Sequence, residues 1–401
     1  MQRPTKTVDA AEPLPAPSAA GRLKIAVLNR NFDPTGGGAE RYSIAMVEQL
    51  AARHDIHVFA QTIQHQWPGV TYHRVATPCK RPRWVNQLWY AYATWRATCK
   101  GFDVVHSHEN TWHGQVQTIH VVPIRHNLLQ GRTGVKLALR WLKIVTSPRL
   151  MVYLWLEKQR YAPQPSRRLV VISDSLRTVM AQTHPHTVPM MDLVGCGVAN
   201  VPGAADAGQK LAARQLLKLP QTGHLVLLVA NDFQKKGLAT LLEALAHLGP
   251  DANLAVVGNP VHAPAYAKLL AQWGLQQRVF YVGQLTDMAP AYQAADCLAH
   301  PTLEDTFGMA VLEAMSFGLP VVVSPVQYCG IAGLLQPGHD ALVLPNPTDA
   351  QALAAALKSA MEDGPLRQKL STNAIQFAGR HLWSELALAQ QSIYAGVVKN
   401  L

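Results

Sequence analysis

One pattern runs through this chain twice. A short apolar run ends in a loop carrying glycine or a capping residue, and a stretch with helical spacing follows. The first series opens with Leu23 to Asn29, a loop Thr35-Gly36-Gly37-Gly38, and Ala39 to Arg53 with Ile44, Val47 and Leu50 on one face. It continues through Ile56 to Ala60, Val104 to His106, Gln117 to Val122 and Leu169 to Ser173, where Ser173-Asp174 suits a helix cap. The series restarts at His224 to Ala230, and Leu254 to Gly258, Val279 to Val282, Cys297 to His300 and Pro320 to Ser324 carry it on. The expected helices of this half are Leu238 to Leu248 and Gly308 to Phe317, with Gly318 as a stop. Runs that are apolar throughout suit strands buried on both faces of a parallel sheet. Their alternation with helices predicts an α/β protein of two doubly wound, Rossmann-like domains. The boundary falls near residue 196, ahead of the small-residue stretch Asn200 to Gly208. The expected division is a disordered, Pro- and Ala-rich tail at residues 1–22, a first domain at 23–195, a second at 196–382, and a last helix within 383–401.

At 401 residues with 48% hydrophobic and 15% charged residues, the chain can bury two sizeable cores and does not fit intrinsic disorder. No run approaches the roughly 18 uncharged apolar residues of a membrane span. Five cysteines, Cys79, Cys99, Cys196, Cys297 and Cys329, include no Cys-x-x-Cys pair. Neither a disulfide framework nor a zinc site is indicated, which suits a reducing cytosol. The first turn, Gly36-Gly37-Gly38-Ala39-Glu40, is not G-x-G-x-x-G, and no acidic residue stands in the ribose position at the end of the next apolar run, Ile56 to Ala60. That excludes a nicotinamide enzyme.

The net charge of +11 is concentrated. Residues 80–168 hold 15 basic and 3 acidic side chains, a net of +12, while residues 201–401 are slightly acidic. Basic residues there alternate with aromatics, as in Lys80, Arg81, Arg83, Trp84, Trp89, Tyr90, Tyr92, Trp95, Arg96 and again in Lys136, Arg140, Trp141, Lys143, Arg149, Tyr153, Trp155. Such a surface suits an anionic membrane or an acidic acceptor, with Arg81, Arg83, Arg140 and Lys143 as its representatives. The plain alternative is a helical region with aromatics in the core and cations in solvent. Nucleic acid is disfavoured, since no nucleic-acid-binding module is visible and the second half is acidic.

The most informative stretch is His300-Pro301-Thr302-Leu303-Glu304-Asp305-Thr306-Phe307-Gly308-Met309-Ala310-Val311-Leu312-Glu313-Ala314-Met315. A strand ends, a loop carries carboxylates, and a helix begins near Gly308. Its unpaired N–H groups at Gly308, Met309 and Ala310 suit a diphosphate. Glu313, about 7.5 Å along the helix axis, is placed to accept hydrogen bonds from ribose hydroxyls. Asp305 lies before the helix, on the side of a transferred sugar. Asp305 and Glu313, eight apart and followed by Gly318-Leu319-Pro320-Val321, make the chain resemble the retaining nucleotide-sugar glycosyltransferases of GT-B architecture, whose hallmark is Glu-x7-Glu. Asp305 stands where that family usually has the first Glu.

Other stretches carry the same resemblance. Asn231-Asp232-Phe233-Gln234-Lys235-Lys236-Gly237-Leu238 is similar to the family's cationic strand-to-helix loop. Here Asn231 replaces the usual Arg and Lys235 precedes Lys236, a variant that looks like the lipopolysaccharide core glucosyltransferases. Gly36-Gly37-Gly38-Ala39-Glu40-Arg41 resembles the first glycine-rich loop, and Gln117-Thr118-Ile119-His120 the strand ending in a histidine near the transferred sugar. Ser173, Gly195-Cys196-Gly197-Val198 and Ala294-Ala295-Asp296 occupy further family positions, with Cys196 a departure.

The resemblance implies two domains facing a cleft, with the last helix crossing back to the first domain. It implies transfer of a hexosyl unit, with retention, from a nucleoside-diphosphate sugar (a UDP-sugar) to a glycan or glycolipid acceptor such as a lipopolysaccharide core. The expected catalytic residues are His120, Lys236 and Asp305. The expected nucleotide-sugar contacts are Gly37, Gly38, Lys235, Lys236, Gly308, Met309, Ala310 and Glu313. No metal or other cofactor is expected, the nucleotide sugar being a substrate, and the sequence has no Asp-x-Asp or His/Cys cluster. The expected location is the cytoplasm, including peripheral contact with the inner membrane face. Two alternatives stay open: a nucleotide-sugar 2-epimerase of the same architecture, and a catalytically silent binding partner.

Overall fold

A computed structural model of the chain describes residues 21–399. The tail expected over residues 1–22 lies, apart from its last two residues, outside the described residues.

Seven strands form the first sheet: β1 (Lys24–Leu28), β2 (Asp55–Ala60), β3 (Val70–Arg74), β4 (Val104–Ser107), β5 (Val116–Ile119), β6 (Arg168–Val171) and β7 (Met191–Leu193). Their spatial order is β3-β2-β1-β4-β5-β6-β7. The second sheet holds β8 (His224–Val229), β9 (Ala252–Val257), β10 (Val279–Gly283), β11 (Cys297–His300), β12 (Val321–Val323) and β13 (Leu342–Val343), ordered β10-β9-β8-β11-β12-β13. Each sheet grows outward from its first strand in both directions, so the strand order reverses there. All pairings are parallel; Ile25, for example, stands between Ile56 and Val104. The continuous apolar runs follow from burial on both faces, and β1 and β8 are almost wholly buried. A separate two-stranded parallel ribbon pairs Asn31–Phe32 with Thr62–Ile63.

Two elements end sooner than the apolar pattern suggests. The run from Gln117 to Val122 leaves the sheet after Ile119, so His120 sits at a strand end rather than within a strand. The helix expected from Gly308 spans Met309–Ser316, and Gly308 is its left-handed cap. The last helix, Trp383–Lys399, packs on the first domain: the Tyr394 hydroxyl lies 2.6 Å from His106 Nδ1, and the Trp383 ring meets Tyr42 edge-on at 5.2 Å. The chain enters it through backbone hydrogen bonds between Val198 and both His381 and Trp383. Asp296 ties the second domain internally, pairing with Lys210 and Arg214 and accepting from the Leu225 N–H.

In parallel sheets the loops at the carboxyl ends of the strands, where strand order reverses, form the binding crevice. Here both sheets present those loops to each other. The residues at the crevice are Gly36–Gly38 after β1, His120 after β5, Asn231–Gly237 after β8, Gly258 after β9 and Pro301–Gly308 after β11.

Candidate active site

A cavity of about 690 Å³ lies between the two sets of loops. Gly37, Gly38, Glu40 and His120 line it from the first domain; Lys235, Lys236, Asp305, Gly308, Met309 and Ala310 line it from the second. The structure thus brings together all but one of the residues expected to meet the nucleotide sugar. Glu313 is the exception. Its carboxylate faces an adjoining cavity of about 530 Å³, and Met309 lines both.

Gly308 has φ +102°, and a Cβ there would lie 2.9 Å from Cys329 Sγ. Only glycine turns the chain into the helix under that packing, which leaves the first N–H groups of Met309–Ser316 at the cavity wall. Gly237, before the helix Leu238–His247, has φ +72°, and a Cβ there would lie 2.0 Å from the Pro301 carbonyl oxygen. This close approach packs the lysine loop on the carboxylate loop: the Leu303 N–H and the Thr302 hydroxyl both donate to the Lys235 carbonyl.

That packing pairs the charges. Lys236 Nζ donates to Asp305, which also accepts from His300 at 3.0 Å. Burial opposes the Asp305 charge, but the His300 hydrogen bond and the Lys236 ammonium prevail and hold its carboxyl well below the usual range. Lys235, half exposed, pairs with Glu304 at 2.9 Å. Both lysines are thus held by carboxylates, and an anion entering the cavity would share them. His300, Asp305 and Cys329 are the described residues whose donor atoms cluster closely enough for a cation. Asp305 already carries the Lys236 ammonium, so a cation there would meet like charge.

The glycine loop lines the cavity together with Glu40. Glu40 in the first helical turn lies over it: a Cβ on Gly37 would lie 3.1 Å from Glu40 Oε2. Burial raises the Glu40 pKa, against the pull of the Glu40 and Gly37 N–H groups directed at the carboxylate. The glycines also let the domains touch: a Cβ on Gly38 would lie 3.3 Å from Met309 Sδ, and Asn231 Nδ2 donates to the Gly36 carbonyl at 3.2 Å.

His120 is held from behind. Its Nε2 lies 2.9 Å from His108 Nδ1, its ring meets Tyr42 edge-on at 5.0 Å, and its carbonyl accepts from the Thr306 hydroxyl of the second domain at 2.6 Å. Burial, with Arg160 and His106 adding to it, depresses its pKa to about 3. Near neutral pH it is a neutral hydrogen-bonding group, not a proton source. Ser173 caps the helix Asp174–Thr183 and also donates to the Thr306 carbonyl at 2.6 Å.

Four neighbours escaped the sequence reading: Arg41 and Tyr292 on Glu313, His300 on Asp305, and His108 on His120. Arg41 and His300 stood inside recognised stretches, but nothing local said which carboxylate each would meet. Tyr292 and His108 carried no signal. The far end of the cavity, formed by Val257, Gly258, Gln284, Leu285 and Thr286, was marked only by the ends of two apolar runs.

On the first domain, the helix Arg83–Thr98 exposes Trp89, Tyr92 and Trp95 at 39%, 44% and 43%, spaced three apart on one face. The helix Gly134–Val145 buries only Ile144 and exposes Val135, Leu139, Trp141, Leu142 and Val145. Trp89, Tyr92, Trp95 and Trp141 thus lie outside the core, whereas Tyr90 is buried within it. Arg81, Arg83 and Lys143 are exposed, Arg140 half-buried, and none of the four has an ion-pair partner among the described residues. The basic count of the region overstates its surface charge, because Arg160 and Arg167 are buried on backbone carbonyls and Arg168 pairs with Asp192. No helix of the described residues is long and apolar enough to cross a membrane.

Known proteins with this architecture match both halves. Residues 36–198 match Glycosyltransferase Family 4, and residues 209–377 match Glycosyl transferases group 1. The D-inositol 3-phosphate glycosyltransferase of Corynebacterium diphtheriae is 30% identical over 45% of this chain and 44% of its own length. The lipopolysaccharide glucosyltransferase WaaG of Escherichia coli is 30% identical over 41% of this chain and 44% of its own. The chain spans under half the length of these curated relatives. In three dimensions, a WaaG crystal structure covers 93% of this chain and is itself covered fully, with a TM-score of 0.79 at 22% identity. Anabaena HepE in complex with UDP-glucose covers 92% and is covered fully, with a TM-score of 0.72 at 18% identity. The chain has the GT-B fold, with a glycosyltransferase family model matching each half, and it resembles the lipopolysaccharide core glucosyltransferases.

Proposed function

We propose that this GT-B family member transfers a hexosyl unit from a UDP-sugar to a hydroxyl of a glycan or glycolipid acceptor, such as a lipopolysaccharide core, with retention at the anomeric carbon. The observation that carries the proposal is the cavity wall where Lys235 and Lys236 stand beside the Gly308-capped helix start. Two cations and a row of helix N–H groups, preorganised in a cleft, suit the charge that develops on a departing diphosphate. In the step itself the bond from the anomeric carbon to the diphosphate oxygen breaks, and the bond to the acceptor oxygen forms. The acceptor's proton passes to the leaving phosphate. Neutral His120 offers a hydrogen bond to a sugar hydroxyl, and Asp305 sets the position of Lys236. HepE, which shares this fold, has been seen with UDP-glucose, and that supports a uridine donor.

The lysines take the electrostatic part in this proposal, and the reaction is metal-independent. The exposed aromatic and basic helices of the first domain suit peripheral contact with an anionic membrane that carries the acceptor. Turnover with a panel of labelled nucleotide sugars and a lipopolysaccharide-core acceptor, with and without a chelator, tests the reading. Transfer with an unchanged anomeric configuration is the expected result. Release of a free 2-epimer of the sugar, or no turnover with any donor, would refute it.

A further inference from the structure

Among the described residues, the pair Arg41–Glu313 is the ion pair that joins the first domain to the second. Arg41 lies in the first helical turn after the glycine loop, and Glu313 lies within Met309–Ser316. The guanidinium donates to Glu313 Oε1, while the buried Tyr292 hydroxyl donates to Oε2 at 2.6 Å. Tyr292 is fixed in turn by stacking on Phe317 at 5.3 Å.

From this geometry we propose that Arg41 is a positioning residue for the donor: it fixes the Glu313 carboxylate for the ribose, and only while the two domains are closed on each other. The inference rests on the reading that Glu313 receives the ribose hydroxyls. A carboxylate has about four acceptor positions. Arg41 and Tyr292 take one on each oxygen, which leaves one on each for the two hydroxyls of a ribose. The two donors also fix the side-chain torsions, so the ribose meets a carboxylate already in place. Because Arg41 comes from the opposite domain, the arrangement exists only when the Gly38–Met309 contact and the Asn231 hydrogen bond are made. Ribose binding and domain closure thereby favour each other.

The test is calorimetric titration of UDP and of 2′,3′-dideoxy-UDP into the wild type, Arg41→Gln, Arg41→Lys, Glu313→Gln and the Arg41→Gln/Glu313→Gln double variant. Arg41→Gln is expected to weaken UDP binding about tenfold, the size of one charge-assisted hydrogen bond, and to leave the dideoxy compound unchanged. Arg41→Lys is expected to recover part of the loss, and Arg41→Gln to add nothing once Glu313 is Gln. A purely structural arginine would weaken both nucleotides equally. That result, or UDP binding by Arg41→Gln as tight as or tighter than wild type, overturns the proposal. Unchanged UDP affinity in Glu313→Gln would instead remove the ribose assignment, and the role of Arg41 with it.

Discussion

Lys236 Nζ and the Asp305 carboxylate, from two different loops of the second domain, are joined by a hydrogen-bonded ion pair at the wall of the cleft, and His300 holds the same carboxylate from beneath at 3.0 Å. The pairing fixes the lysine on a short tether. A diphosphate entering the cleft would therefore share a cation already oriented rather than recruit a free one.

Lys236→Ala is expected to lower kcat by roughly 10²-fold or more, by analogy with removing one preorganised electrostatic donor, with a smaller effect on folding. The charge the lysine serves develops in the transition state, so the loss falls on kcat rather than KM. Steady-state turnover with the preferred nucleotide sugar checks this, and wild-type turnover would refute the role. Adding Lys235→Ala shows whether the neighbour, paired with Glu304 at 2.9 Å, compensates.

Glu313→Gln replaces a charged acceptor with an amide beside Arg41 and Tyr292. Hydrogen bonds to charged groups are worth roughly 1.5–3 kcal/mol, so affinity for UDP is expected to fall about tenfold or more. Calorimetry measures this directly, and an unchanged dissociation constant would sink the assignment.

Anionic vesicles are expected to co-sediment the protein at low salt and release it at high salt, since attraction is screened beyond about 8 Å at physiological ionic strength. At ~1 kcal/mol per basic residue near the surface, four residues supply ~4 kcal/mol, equivalent to roughly millimolar association. Replacing Arg81, Arg83, Arg140 and Lys143 with Gln should abolish retention while sparing donor hydrolysis. Equal binding to neutral vesicles would assign the anchoring to Trp89, Tyr92, Trp95 and Trp141.

Stability is expected to fall as pH drops below about 6.5. Burial depresses the pKa of His106, His113 and His120 to about 3, and that of His108 well below its ordinary value. Between about 3 and 6.5 the unfolded chain therefore binds protons that the folded chain refuses, and stability rises with pH across that window. The limit is about 1.4 kcal/mol per pH unit for each such histidine. Thermal melts from pH 8 to 5 check the sign; a melting temperature that rises on acidification would contradict it.

The local sequence was enough for the strands, the two-domain division of the sheets and most of the cavity wall. Apolar runs such as Leu225 to Val229 can be buried on both faces only in a parallel, helix-covered sheet. A glycine after such a run marks where backbone must approach something closely, as Gly237 does at Pro301 and Gly308 at Cys329. These signals act over a few residues, so they survive in sequence. What the charges at those positions do was decided only by tertiary packing. Lys236 meets Asp305 from 69 residues away and Arg41 meets Glu313 from 272. The same holds for the aromatics of residues 83–98: their helical spacing could put them in a core or on a surface, and the fold put Trp89, Tyr92 and Trp95 outside. Which side of a helix is covered, and which charge neutralises which, depends on elements distant in the chain that close on one another, and no local pattern records that.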